Sequence, residues 1–322
     1  MIFKPKTLLA FGLLSFLSFG PELLYASQAY SVPLEFEATG DDALGVSNAG
    51  ASISHGSAAV HINPALLGLV KDYRANFTYY WPERGREFYQ VGVVDGTTAK
   101  LVAGAVYTGF SDKYQFGKQA EDLDSPVLRR ISVGVAYPFT HFVLGLSGHY
   151  VESQKEELLI LKPYKGISLG VGFLAFLTEE IRLGLSYQHF NNAKIKSVTP
   201  STARAGLSWV PKSGFVELFL DYQQRDKNAL ESLDDALSGI SGNSSDHTKE
   251  QMLISGGRVR VYNVLQLGLA YGRALDKSER EQVSGQVGLA HNEFSFSYAV
   301  MRTTKDQEPW HASINLSALF SM

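Results

Sequence analysis

The chain has 322 residues, 45% of them hydrophobic and 19% charged, with a formal charge of −3, so nothing in its electrostatics suits a polyanion such as nucleic acid. Cysteine is absent, which excludes disulfides, thiolate metal sites and a lipid-modified N-terminal cysteine. Sixteen tyrosines, nineteen phenylalanines and thirty glycines at a mean hydropathy of −0.05 describe strand-forming aromatics punctuated by turn residues, without the long apolar blocks of a helical membrane protein.

The N-terminus, MIFKPKTLLAFGLLSFLSFGPELLYASQA, places Lys4 and Lys6 before an apolar run that ends in the small residues Ser27 and Ala29. This is the pattern of a cleaved export signal, with cleavage expected after Ala29. Gly20, Pro21 and Glu22 break the run, and it is short for a permanent span. Removing Lys4, Lys6 and Glu22 leaves a faintly acidic exported chain.

Residues 30 to 72 follow as a segment of different composition, and within it GDDALGVSNAGASISHGSAAVHINPALLGLV is too small-sided for a strand and too short for a domain. Pro64 removes a backbone donor and disfavours helical geometry at Asn63, so a short helix must bend or stop there, and the Asn63 side chain can satisfy the freed backbone groups. That makes the Asn63-Pro64 step a hinge candidate. The segment can fold into a lumen as a plug, provided the rest of the chain builds one.

From residue 73 to 322 apolar residues alternate with small or polar ones. In IRLGLSYQ, Ile181, Leu183, Leu185 and Tyr187 share one face, and Arg182, Gly184, Ser186 and Gln188 the other. Phe142, Leu144 and Leu146 likewise oppose Val143, Gly145, Ser147 and His149, and Val216, Leu218, Leu220 and Tyr222 oppose Glu217, Phe219, Asp221 and Gln223. Such runs predict about 14 strands of about ten residues, the length that crosses a bilayer at a tilt. They fall near residues 73–83, 86–94, 98–110, 128–138, 140–153, 165–176, 179–190, 202–212, 214–224, 250–262, 263–274, 281–291, 292–302 and 309–320. Tight links alternate with longer polar ones, and the even count leaves both ends on the short-turn rim, as in outer-membrane barrels. A water-soluble β-sandwich would need charged outer faces. Here the non-apolar faces are mostly Gly, Ser, Ala and Gln, which suits a curved interior, and aromatics near strand ends suit interfacial girdles. The predicted fold is therefore all-β: a transmembrane antiparallel β-barrel with a small N-terminal hatch in its lumen.

Gly45, Asn48, Ala49, Gly50, Ala51, Ala58 and Ala59, followed by Asn63, Pro64, Ala65 and Leu66, resemble the start of the mature FadL/TodX-type outer-membrane transporters of long-chain fatty acids and hydrocarbons. That family carries a Gly/Ala-rich segment and then an Asn-Pro-Ala step. The resemblance implies a 14-stranded barrel occluded by this hatch, passive uptake of hydrophobic small molecules, and no cofactor. Family members are commonly longer, with extended outer loops that form an apolar capture groove, whereas the longest loop here, residues 225–249, is mainly polar. The loop KEELLILKPYKG still offers Leu158, Leu159, Ile160, Leu161 and Tyr164 as a candidate ligand-capture site. The family also has look-alikes in porin-like secretion partners, so a structural or secretion-associated barrel acting through an envelope protein partner is the alternative.

Candidate chemistry inside the lumen is sparse. Arg182, Arg204, Glu217, Asp221, Arg258 and Arg260 are expected to form a polar network or to hold the hatch. Ser147 and His149 lie two apart on one strand face, but no orienting acid or oxyanion donor can be assigned to them. Eight scattered histidines do not give metal-ligand spacing. The expectation is a non-enzymatic barrel of the Gram-negative outer membrane whose partners are lipid and a hydrophobic ligand.

Overall fold

The computed structural model describes residues 44–53, 56–82, 88–110, 128–153, 165–191, 200–226, 249–262, 264–275, 281–291, 293–303 and 310–320. The candidate capture loop, Leu158 to Tyr164, and the export signal lie outside these residues.

Fourteen antiparallel strands close into one barrel in chain order. They are β1 (Tyr73–Pro82), β2 (Phe88–Asp95), β3 (Val102–Phe110), β4 (Leu128–Pro138), β5 (Phe142–Ser153), β6 (Lys165–Phe176) and β7 (Ile181–Gln188), then β8 (Thr202–Trp209), β9 (Val216–Asp226), β10 (Lys249–Val261), β11 (Leu265–Ala274), β12 (Glu281–Ala290), β13 (Phe294–Thr303) and β14 (Trp310–Phe320). Each strand pairs with its sequence neighbours, and β1 closes on β14 from Tyr73 opposite Phe320 to Pro82 opposite His311. Closure leaves no unpaired sheet edge, the condition for crossing hydrocarbon with strands.

The alternation read from the sequence is the in–out alternation of the wall. On β7, Gly184, Ser186 and Gln188 are buried while Leu185 and Tyr187 are exposed. The outward residues are large and apolar around the barrel, among them Leu146 at 59%, Ile167 at 63% and Leu269 at 70% exposure. A continuous belt of this kind far exceeds the apolar patch a soluble monomer tolerates, and it is solvated by lipid. Among the described residues no helix is long and apolar enough to cross a membrane.

The segment before β1 lies inside the wall. It consists of a 3₁₀ turn at Leu44–Val46, a second at Gly56–Ala58, the short helix α1 (Ala59–Ile62) and a third 3₁₀ stretch at Pro64–Leu69. From Leu44 to Leu67 its described residues are buried. The break between the last two elements has the cause that Pro64 predicts. Asn63 is extended, at φ −150° and ψ 102°, so it ends α1 and caps the stretch that Pro64 opens.

Candidate functional site: the segment inside the barrel

Asn63 has no exposed surface and uses its whole side chain. Its Oδ1 accepts from the Ala65 amide at 3.1 Å, while Nδ2 donates to the Ala51 carbonyl at 2.6 Å and to the Phe173 carbonyl on β6 at 3.2 Å. One residue thus caps a helical turn, ties the segment to itself and ties it to the wall. Leucine or alanine here would orphan two buried backbone groups, the Ala65 amide and the Ala51 carbonyl, at about 1–3 kcal/mol for each unsatisfied group, and would release the part-buried Phe173 carbonyl.

The wall meets the segment through glycine. Added Cβ atoms would lie 2.3 Å from Ser57 Oγ at Gly92, 3.0 Å from Leu67 Cδ2 at Gly104, 3.1 Å from Leu67 Cδ1 at Gly134 and 2.2 Å from the Ala65 nitrogen at Gly145. At Gly172 the added atom would be 2.0 Å from Asn63 Oδ1, at Gly184 1.7 Å from the Ala51 carbonyl oxygen, and at Gly206 1.8 Å from Asp221 Oδ1 and 2.9 Å from Ala51 Cβ. Each of the seven strands from β2 to β8 therefore contributes at least one lumen-facing glycine, β6 a second at Gly170, and four of them face each other across strand pairs, Gly104 to Gly134 and Gly145 to Gly172. Gly184 faces Gly206 in the same way. On the sequence alone these glycines point to tight curvature. In space they make room for the segment, for its backbone at Gly145, Gly172 and Gly184 and for its side chains at Gly92, Gly104 and Gly134. The signal that could have found them is the recurrence of at least one inward-parity glycine per strand over seven successive strands.

Beside this belt the interface is dry. Ala65, Leu66, Leu67 and Val70 pack with Val94, Val102, Val106, Ala136, Val143 and Leu174. A second apolar cluster joins Val46, Ala49 and Ile53 to Phe219, Met252, Ile254 and Ala270. Burying a leucine in such contacts is worth about 1.5–3 kcal/mol, so Leu66 and Leu67 supply much of the adhesion.

Polar anchors fix the segment's register. Asp221 Oδ2 accepts from the amides of Gly50 at 2.6 Å and Ala51 at 2.8 Å. Ser208 Oγ donates to the Ser52 carbonyl at 3.2 Å, Gln282 Nε2 to the Ser47 carbonyl at 3.0 Å, and Ser284 Oγ to the Gly45 carbonyl at 3.0 Å. Ser47 and Asn48 make their turn in the left-handed region, at φ 55° and 59°.

The lumenal charges expected to form a polar network or to hold the hatch fall into two groups, one for each role. Arg258 donates from Nε to Glu217 Oε2 at 2.9 Å and also pairs with it through Nη2, and Arg182 lies within electrostatic reach of both. Asp221 works instead on the segment, with Arg204 near it. Arg260 is exposed, two residues beyond Arg258 toward the short-turn rim. A third polar assembly was not foreseen as a unit. His61 of α1 stacks on His149 of β5 at 5.4 Å, and His149 lies 4.7 Å from His189. Ser147 Oγ is 3.1 Å from His149 Nε2, so the suspected pair exists, but Nδ1 of that ring meets Ser132 Oγ at 2.9 Å where a hydrolytic triad would place a carboxylate.

The fold is similar to that of the Ralstonia pickettii toluene transporter TbuX, at 14% identity and a TM-score of 0.63 over 90% of this chain and 100% of that one. It is similar also to the Pseudomonas putida toluene transporter TodX, at 11% identity and a TM-score of 0.61 over 89% and 100% of the two chains. A Pseudomonas aeruginosa FadL homologue matches at 11% identity and a TM-score of 0.55, over 88% and 98%. At these identities the likeness is one of fold. No protein-family model matches the sequence, and no curated protein matches it.

Proposed function

We propose that this chain is an outer-membrane transporter for the passive uptake of hydrophobic small molecules, toluene-like hydrocarbons or long-chain fatty acids among them. The observation that carries the reading is a lipid-belted barrel whose lumen is filled by its own N-terminal segment, on the fold shared with the toluene transporters. A hydrophobic solute stalls at a polysaccharide-coated outer leaflet. A protein helps by offering an apolar surface in its outer loops, for which Leu158, Leu159, Ile160, Leu161 and Tyr164 are the candidates, and then a route past the plug. No energy source is needed, because shifting the segment requires only that the cargo bind the shifted state better than the docked one. Residues 30–72 act as the hatch, with Asn63, Pro64, Ala65 and Leu66 at its hinge, and residues 1–29 act as the cleaved export signal. The reading is tested by uptake of radiolabelled toluene and oleate into cells with and without the protein. Faster uptake of either with the protein supports transport; equal rates for both, in cells where the barrel is inserted, assign it instead to a structural or secretion-associated role with a protein partner.

A further inference from the structure

We propose that His61 is a proton-sensitive contact that keeps the segment docked at neutral pH and lets it go as the medium acidifies. This rests on the segment being a movable plug and is independent of which cargo passes.

The imidazole of His61 is 5% exposed, and neither ring nitrogen has a hydrogen-bond partner. A buried ring in that state is tolerable only while neutral. Its neighbours make charging worse: Arg130 on β4, His149 on β5, His189 just past β7 and Arg204 on β8 all bear on it, and all are basic. His149 cannot turn away to relieve the contact, because Ser132 holds Nδ1 at 2.9 Å and Ser147 and Gln188 meet Nε2 at 3.1 and 3.2 Å. His189 is held in turn by Ser168 Oγ at 2.7 Å, from a left-handed backbone at φ 57°. Burial first, and then the Arg130 guanidinium, hold the His61 ring well below its ordinary 6.5.

The sign follows from linkage. The docked state binds no proton at His61, whereas a released segment in water recovers the ordinary value. Docking is therefore insensitive to pH above about 6.5 and weakens below it, by up to about tenfold in the docked-to-released ratio per pH unit for this one imidazole. Asp221, the carboxylate that grips Gly50 and Ala51, can also titrate, so the test compares proteins that share it.

The experiment measures ion conductance of the full barrel in planar bilayers between about pH 7.5 and about pH 5, for the wild type and for His61→Phe. Phenylalanine keeps the ring stack and cannot take a proton. The wild-type open fraction should climb more steeply below about pH 6.5, the two slopes differing by up to about tenfold per pH unit. Parallel pH dependences, or a flat wild type, would overturn the proposal. His61→Gln, neutral but polar, replaces the phenylalanine variant should that one fail to assemble, and must flatten the slope in the same way. A merely structural role for His61 would shift conductance equally at every pH. Because conductance reads the plug whatever the cargo, a barrel that takes up neither toluene nor oleate yet shows the histidine-dependent slope would sink the transport reading and leave this one standing.

Discussion

The two sides of the lumen solve the same problem in opposite ways. Along β2 to β8 the wall gives up its own side chains, at least one glycine per strand, and lets the backbone and side chains of the hatch segment take their place. Along β13, β14 and β1 it keeps polar side chains and bonds several of them to one another. Asn76 Nδ2 donates to Ser317 Oγ at 2.7 Å, Thr78 Oγ1 to Asn315 Oδ1 at 3.1 Å, and Tyr80 pairs with His311. The first side is a mould for a particular object; the second also lies against the segment, at β1 and β13, but spends these polar groups across its own strands. A moving segment would have to let go along β2 to β8 and also along β9 to β12, where Asp221, Gln282 and Ser284 bond it and Phe219, Met252, Ile254 and Ala270 pack on it.

Graded substitutions test that contrast, and conductance in planar bilayers reads each of them. The largest effect is expected from Gly184→Val, whose Cβ would sit 1.7 Å from the Ala51 carbonyl oxygen. The barrel should still form, and its conductance should match that of a barrel lacking the segment; Gly148→Ala, whose added atom meets only side chains at 3.9 and 4.0 Å, should change nothing. Leu67→Ala leaves a cavity in the dry cluster and should weaken docking by about 2–5 kcal/mol, seen as frequent openings of a still largely closed channel. Asp221→Asn removes the charge from the acceptor of two amide bonds and should cost about 1–2 kcal/mol. On the second side, Asn315→Ala should cost about 1 kcal/mol of barrel stability, followed by unfolding in detergent, and leave conductance unaltered. If Asn315→Ala opened the channel as readily as Leu67→Ala, the two sides would not differ in the way described.

Much of the fold was legible because the two faces of each strand meet different surroundings, an exposed apolar belt outside and a filled lumen inside, and so keep a period of two. The expected strands all exist, and those at 128–138 and 165–176 end where they were expected to. Boundaries slipped where turn chemistry overrode apolar pattern. The third strand was expected from residue 98 and begins at Val102, because Asp95 Oδ1 accepts from the amides of Thr97 at 3.0 Å and Thr98 at 2.9 Å and holds the chain in a turn. The Asn-Pro break was legible too, since proline constrains its neighbour locally. What could not be read was pairing at a distance. Nothing in the sequence says that Asn63 reaches the Phe173 carbonyl, that His61 lands on His149, or that Asp221 serves the segment rather than Arg258. Those contacts follow from register and barrel closure, which a single strand does not encode.

Deleting residues 40–70 and recording single-channel conductance in planar bilayers shows whether this lipid-spanning barrel is stoppered by its own N-terminal segment. The deleted barrel should carry a large, steady ionic current where the intact one carries little. Equal conductance of the two, with both inserted as closed barrels, would contradict a stoppered lumen.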